Sequence, residues 1–173
     1  YYGAGKSEQI SPVIIKTLVI GAAVMLPLVL LTFAFGDLMI GLGTTDPTII
    51  TTGKEYLWVA MPSLVFIVVV IVFENALRGF GQVRLPMALG SIAILINIVL
   101  NYWLINGGLG IDALGVVGAA WATFIARGIH ALLIVFYLAK AKHVVFPRYC
   151  NCEQFYNKEQ WGHLIKLVWP IML

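Results

Sequence analysis

The sequence predicts an all-α fold, a polytopic membrane helix bundle with four complete transmembrane helices and the start of a fifth. Three observations carry that prediction. Hydrophobic residues make up 61% of the 173 and charged ones only 11%, far from the composition of a soluble domain. The apolar residues gather into runs near the roughly 20 residues a spanning helix needs. They do not alternate with the period of a half-buried strand, which excludes a β-barrel. The Lys and Arg residues stand at the ends of those runs, so the net charge of +3 reports topology and gives no reason to expect nucleic acid.

The first span is expected over residues 13–35, with Lys16 near its start able to snorkel its ammonium to the interface. Pro27 lies near the middle and leaves the carbonyl of Ala23 without its helical donor, so a kink is expected there. In the following loop Asp46 is placed to cap a helix and Pro47 fits its first position, which predicts a short surface helix. The second span is expected over 56–76, kinked by Pro62, and ends at the turn Gly79-Phe80-Gly81. The third, 86–105, opens with Pro86 in its first turn, where a missing donor costs nothing. After the glycine-rich turn Asn106-Gly107-Gly108-Leu109-Gly110, the fourth covers 114–138. Gly115 with Ala119 and Gly118 with Ala122 form small-xxx-small patterns that favour close helix approach.

Lys6, Lys16, Arg78, Arg84, Lys140, Lys142 and Arg148 fall on one side of these spans and only Lys54 on the other. The positive-inside rule then makes both ends cytoplasmic in a multi-pass protein of the cell (inner) membrane. Residues 1–145 form one membrane unit, 146–163 a cytoplasmic linker, and 164–173 the opening of a further apolar run, about half a span long. With neither an initiator Met nor a signal peptide ahead of Tyr1, the sequence reads as a fragment of a longer protein. Cys150 and Cys152 lie in the linker without His or Cys partners at ligand spacing, so no metal centre or cofactor is expected from them.

Polar residues inside the spans ask for a reason. Asn97 and Asn101 are four residues apart, so both amides project from one stripe of an apolar helix. Lipid satisfies neither, and they face either neighbouring helices, as glue, or a watery cavity, as a binding site. Counting about 1.5 Å per residue, Asn97 lies about 17 Å above Pro86 and Thr123 about 13 Å below Leu114, which coincide in a core about 30 Å thick. Two amide carbonyls and a hydroxyl are hard oxygen donors of the kind that hold Na⁺, and no carboxylate is expected at that level. Glu74 and Arg127 are expected nearer the cytoplasmic side, as a buried ion pair or, alternatively, with Glu74 taking and releasing a proton.

Four ordered motifs carry a family resemblance. Leu77-Arg78-Gly79-Phe80-Gly81, Pro86-Met87, the Asn97/Asn101 pair, and Leu114-Gly115-Val116-Val117-Gly118-Ala119-Ala120-Trp121-Ala122-Thr123 together closely resemble the multidrug and toxic compound extrusion (MATE) family. The resemblance implies helices three to six and the beginning of seven of a twelve-helix transporter, so that 1–145 is part of the N-terminal lobe, 146–163 the inter-lobe linker and 164–173 the start of the C-terminal lobe. It further implies a secondary-active antiporter, working by alternating access, that expels amphipathic organic cations in exchange for Na⁺ or H⁺. Asn97, Asn101 and Thr123 match the family's N-lobe cation site. Where the family also carries Asp, this sequence has Asn101, and the family's helix-one aspartate would precede Tyr1.

The partners implied are the lipid bilayer, the organic cation and the remainder of the same transporter chain. Two other readings remain: a lipid-linked oligosaccharide flippase of the same superfamily, whose cavity should be strongly cationic, and a non-transporting membrane scaffold. An enzyme is not indicated, because no nucleophile stands beside a base at a recognisable spacing.

Overall fold

The computed structural model describes residues 10–108, 110–141 and 161–162. Its helices are α1 (Ile10–Gly41), α2 (Pro47–Ala60), α3 (Ser63–Gly79), α4 (Arg84–Asn106) and α5 (Gly115–Lys140). Among the described residues four segments are long and apolar enough to cross a membrane: α1, the joined α2 and α3 over Pro47–Gly79, α4 and α5. Large apolar side chains such as Leu30, Ile94, Val99 and Leu132 project outward all along them. Water would penalise that surface, whereas hydrocarbon does not.

The helices alternate in direction. Asp37 of α1 meets Lys54 of α2, and Gly21 of α1 meets Val68 of α3, so α1 runs antiparallel to the α2–α3 pair. Leu104 of α4 meets Gly118 at the start of α5, and Gly90 faces His130 further along, which makes α4 and α5 a second antiparallel pair. α5 also packs on α2 and α3, while α3 and α4 touch only sparsely and leave a gap between them. At one end Ile10 and Ile14, Phe73 and Leu77, and Ile134 and Leu138 close a buried apolar cluster joining α1, α3 and α5.

Two short-range rules show directly in the chain. Asp46 caps α2 as its sequence context predicts, with the Thr48 amide donating to Asp46 Oδ1 at 2.8 Å and Pro47 taking the first helical position. The α4–α5 turn is tied by Gly107 N–H to the Trp103 carbonyl (2.9 Å), Leu114 N–H to the Leu104 carbonyl (3.0 Å), and Trp103 Nε1–H to the Gly108 carbonyl (2.8 Å). Gly107 sits at φ +77°, and a Cβ there would fall 2.8 Å from the Ala113 nitrogen, so only glycine fits the turn.

Several expectations are corrected. Residues 47–60 form the short helix expected after Asp46, with none of its residues buried, but it leads directly into α3, so the segment long and apolar enough to span covers Pro47–Gly79 and not 56–76 alone. Pro62 does more than kink that segment. The helix stops at Ala60 and restarts at Ser63, because proline gives no N–H to the carbonyl four residues back. α1, by contrast, runs on through Pro27, which lies on its exposed side. Lys16 does not snorkel to a wet interface; it is fully buried, its ammonium 5.7 Å from the centre of the Trp161 ring. The expected linker 146–163, apart from 161–162, and the run 164–173 lie outside the described residues, as do Lys6, Lys142, Arg148 and both cysteines.

The small residues of α5 bring it against α4 at backbone distance. A Cβ on Gly118 would overlap the Leu104 carbonyl, with its carbon only 2.7 Å away, whereas one on Gly90 meets nothing closer than His130 Cε1 at 3.9 Å. Gly118→Ala in the full-length protein should therefore lose about 1–3 kcal/mol of stability to overpacking. Gly90→Ala should lose none and gain up to about 1 kcal/mol from helix propensity. Thermal unfolding of both variants in detergent checks the opposite signs.

Candidate functional site

The gap between α3 and α4, floored by α5, is an open cleft of about 630 Å³. Its volume is in the range of small-molecule sites, roughly 300–1,000 Å³. The walls are mixed: α3 contributes Glu74 and Arg78, α4 contributes Met87, Ser91, Ile94 and Asn97, and α5 contributes Thr123, Arg127 and His130. Ionisable side chains placed on membrane helices are costly unless they pair or meet water, so their convergence on one cleft marks it as the functional candidate.

Asn97 and Thr123 both line this cleft, and Asn101 does not. Asn101 joins it indirectly, since its Nδ2–H donates to Asn97 Oδ1 at 2.9 Å along the helix. Both amides are half-buried. Thr123 Oγ1 donates to the Ala119 carbonyl of its own helix at 2.9 Å, which directs the oxygen lone pairs outward. Asn97 and Asn101 thus act as glue for each other and still offer an unspent carbonyl on Asn101 and a second lone pair on Asn97. Among the described residues no group of three His, Cys, Asp or Glu side chains gathers to hold a metal ion, so a cation here would depend on neutral oxygens.

The expected Glu74–Arg127 ion pair is not the pairing in the structure. Arg127 Nη1–H donates to Ser63 Oγ at 2.6 Å, and Ser63 Oγ–H donates to the Ala60 carbonyl at 2.5 Å. The break at Pro62 explains the choice, because it leaves the Ala60 carbonyl without a helical donor and places a hydroxyl beside it. Ser63 lies eleven residues before Glu74 on the same segment, about 16 Å away, too far for one guanidinium to serve both.

Glu74 pairs instead with Arg78 one turn along its own helix (Oε2 to Nη2, 3.2 Å) and faces His130 of α5 (Oε1 to Nε2, 3.3 Å). Glu74 lines the same cleft as Asn97 and Thr123, at the depth of His130 and Gly90 and not at that of the amides. Two participants, His130 and Ser63, were missed altogether. His130 stands three residues beyond Arg127 in an apolar helix, and an intramembrane ionisable group was the available signal. For Ser63 the signal was its position immediately after a helix-breaking proline.

Comparison with known proteins agrees with the motifs. The MatE family profile matches residues 1–103. A probable multidrug resistance protein NorM of Thermotoga maritima is 34% identical over 90 residues, 52% of this chain and 19% of its own. The multidrug resistance protein NorM of Vibrio cholerae is 27% identical over 169 residues, 95% of this chain and 35% of its own. A probable multidrug resistance protein YoeA of Bacillus subtilis is 28% identical over 142 residues, 82% of this chain and 31% of its own. The chain therefore spans about a third or less of the length of these relatives. No solved structure matches it.

Ser63→Ala should remove an acceptor from a charged donor and leave the Ala60 carbonyl unpaired, at a cost of about 1.5–3 kcal/mol. Combined with Arg127→Met, the loss should fall short of the sum by at least about 0.5 kcal/mol, because both changes break one relay. A double-mutant cycle by thermal unfolding of the full-length protein in detergent measures it.

Proposed function

The chain belongs to the MatE family, and from that membership we propose that it forms part of the N-terminal lobe of a secondary-active multidrug efflux antiporter. In this reading the whole transporter lies in the cell (inner) membrane with both ends of the present segment cytoplasmic. It exports amphipathic organic cations in exchange for Na⁺ or H⁺. The observation that carries the reading is the cleft, in which Asn97, Thr123 and Glu74 share one open space with the apolar Met87 and Ile94.

Each part of the cleft suits a step of alternating access. The walls formed by Met87 and Ile94 offer apolar surface to the body of an amphipathic cargo, and Glu74 offers the negative charge. Asn97, Asn101 and Thr123 supply hard oxygens to the coupling ion. Amides and hydroxyls do not titrate near neutral pH, so these three groups suit Na⁺, and a proton in this lobe requires a carboxylate or an imidazole. Ion binding drives transport only by favouring one open state over the other. The Pro62 break, locked by Arg127 through Ser63, and Pro27 in α1 are the positions where the helices can bend between those states.

The flippase reading has one observation in its favour. Among the described residues Arg127 has no carboxylate within ion-pair distance, and it lines the cleft, so it is available to a phosphate. We favour efflux because Arg78, the other guanidinium of the cleft, is already engaged by Glu74.

In proteoliposomes containing the full-length transporter, Asn101→Ala and Thr123→Val should each slow ion-driven efflux of a fluorescent organic cation about tenfold, or ~1.4 kcal/mol. Membrane insertion should be unchanged. Normal transport by both variants removes these residues from the coupling site, and a wild type without substrate-dependent ion flux makes the bundle a scaffold.

A further inference from the structure

We propose that Glu74 and His130 form a proton-binding dyad between α3 and α5, a second ion site separate from the amide cluster. His130 Nε2 is closed off from solvent, lies 3.3 Å from Glu74 Oε1, and makes no hydrogen bond with any described residue. Leaving such a nitrogen buried and unpaired costs about 1–3 kcal/mol of desolvation. Adding a proton to it converts the same contact into a charge-assisted bond to the carboxylate. The bonding change is small and balanced: a hydronium ion of the aqueous phase gives one proton to the Nε2 lone pair and is left as water, and the imidazole becomes an imidazolium facing Glu74.

The surroundings suit one exchangeable proton. On α3 Arg78 holds the other oxygen of Glu74 at 3.2 Å and keeps the carboxylate oriented. On α5 the nearest further charge, Arg127, is occupied by Ser63. The α4 neighbour is uncharged, since Gly90 is what faces His130. On α1 the ammonium of Lys16 lies over the Trp161 ring. Asn97 is seven residues beyond Gly90 on α4, about 10 Å along the helix, so dyad and amide cluster occupy different depths of one cleft.

Proton binding at this point has a mechanical consequence. Among the described residues α3 is joined to α5 by two polar contacts, Ser63–Arg127 and Glu74–His130. Only the second changes with a proton, so protonation tightens the lower part of the α3–α5 seam and favours whichever open state keeps that seam closed. The dyad rests on the antiporter reading for what the proton drives, and not for its existence.

Histidine-labelled full-length transporter in nanodiscs tests it by ¹⁵N NMR, with His130→Gln identifying the resonance that belongs to His130. Glu74→Gln should displace the midpoint of that resonance, and Asn101→Ala should leave it in place. In the unmodified protein, which needs no variant to fold, the infrared carboxylate band of a glutamate should change over the same pH interval as the imidazole. In proteoliposomes, Glu74→Gln and His130→Gln should each flatten the pH profile of efflux, and the double variant no further. An unmoved midpoint in Glu74→Gln, or an infrared band that ignores the imidazole titration, overturns the dyad. If the protein exports nothing while the midpoint still moves, the antiporter reading fails and the dyad stands.

Discussion

A bilayer core offers no hydrogen-bond partners, and the arrangement of this bundle follows from that shortage. Where the helix breaks at Pro62, the freed Ala60 carbonyl is answered by Ser63, and Ser63 is answered by Arg127 from another helix. Elsewhere the same need is met within one turn: Thr17 donates to Val13, Thr32 to Leu28, Thr123 to Ala119 and Asn101 to Asn97. Local satisfaction spends a polar group without tying helices together. Among the described residues, the contacts that do reach between helices include Asp37–Lys54 from α1 to α2, and Ser63–Arg127 and Glu74–His130 from α3 to α5.

This separates two kinds of helix contact. α4 and α5 meet through small residues at backbone distance, with Gly118 against Leu104, and such an interface has little slack. α3 meets α5 through an apolar cluster at one end, Phe73 and Leu77 against Ile134 and Leu138, and through ionisable or hydroxyl groups above it. An interface of the second kind can be loosened or tightened by charge, which packing alone does not allow. The amide cluster thus sits on the stiffer pair, and Glu74 on the helix that stands off from it.

Much of the architecture was legible because it follows from local rules. The expected spans 86–105 and 114–138 differ from α4 and α5 by only one or two residues at each end, since apolar length and flanking signals decide both. Asp46 and Pro47 announced a helix start correctly for the same reason. What the cap could not announce is that the helix it begins, α2, runs straight into α3, so that Pro47–Gly79 together are long and apolar enough to span. The ion pairing failed on similar grounds: axial depth placed Arg127 near Glu74, but the nearer orphan was created by a break elsewhere in the chain. His130 escaped notice because a lone imidazole has no spacing pattern of its own.

The helices are also unequal in length. At about 1.5 Å per residue the 32 residues of α1 make a rod about 48 Å long, against about 35 Å for the 23 of α4. A hydrocarbon slab about 30 Å thick suits α4 at a modest tilt, whereas α1 and the paired α2–α3 overshoot it by more than 10 Å even when inclined by about 20°. Their overhanging ends are clasped by Lys54 to Asp37 at 2.6 Å and by the edge-to-face stack of Phe33 on Trp58. Those ends carry the exposed charges of Asp37 and Lys54, so they belong in water, and the uncharged stretch of α1 between Lys16 and Asp37, about 30 Å at 1.5 Å per residue, matches the slab without asking the host bilayer to stretch.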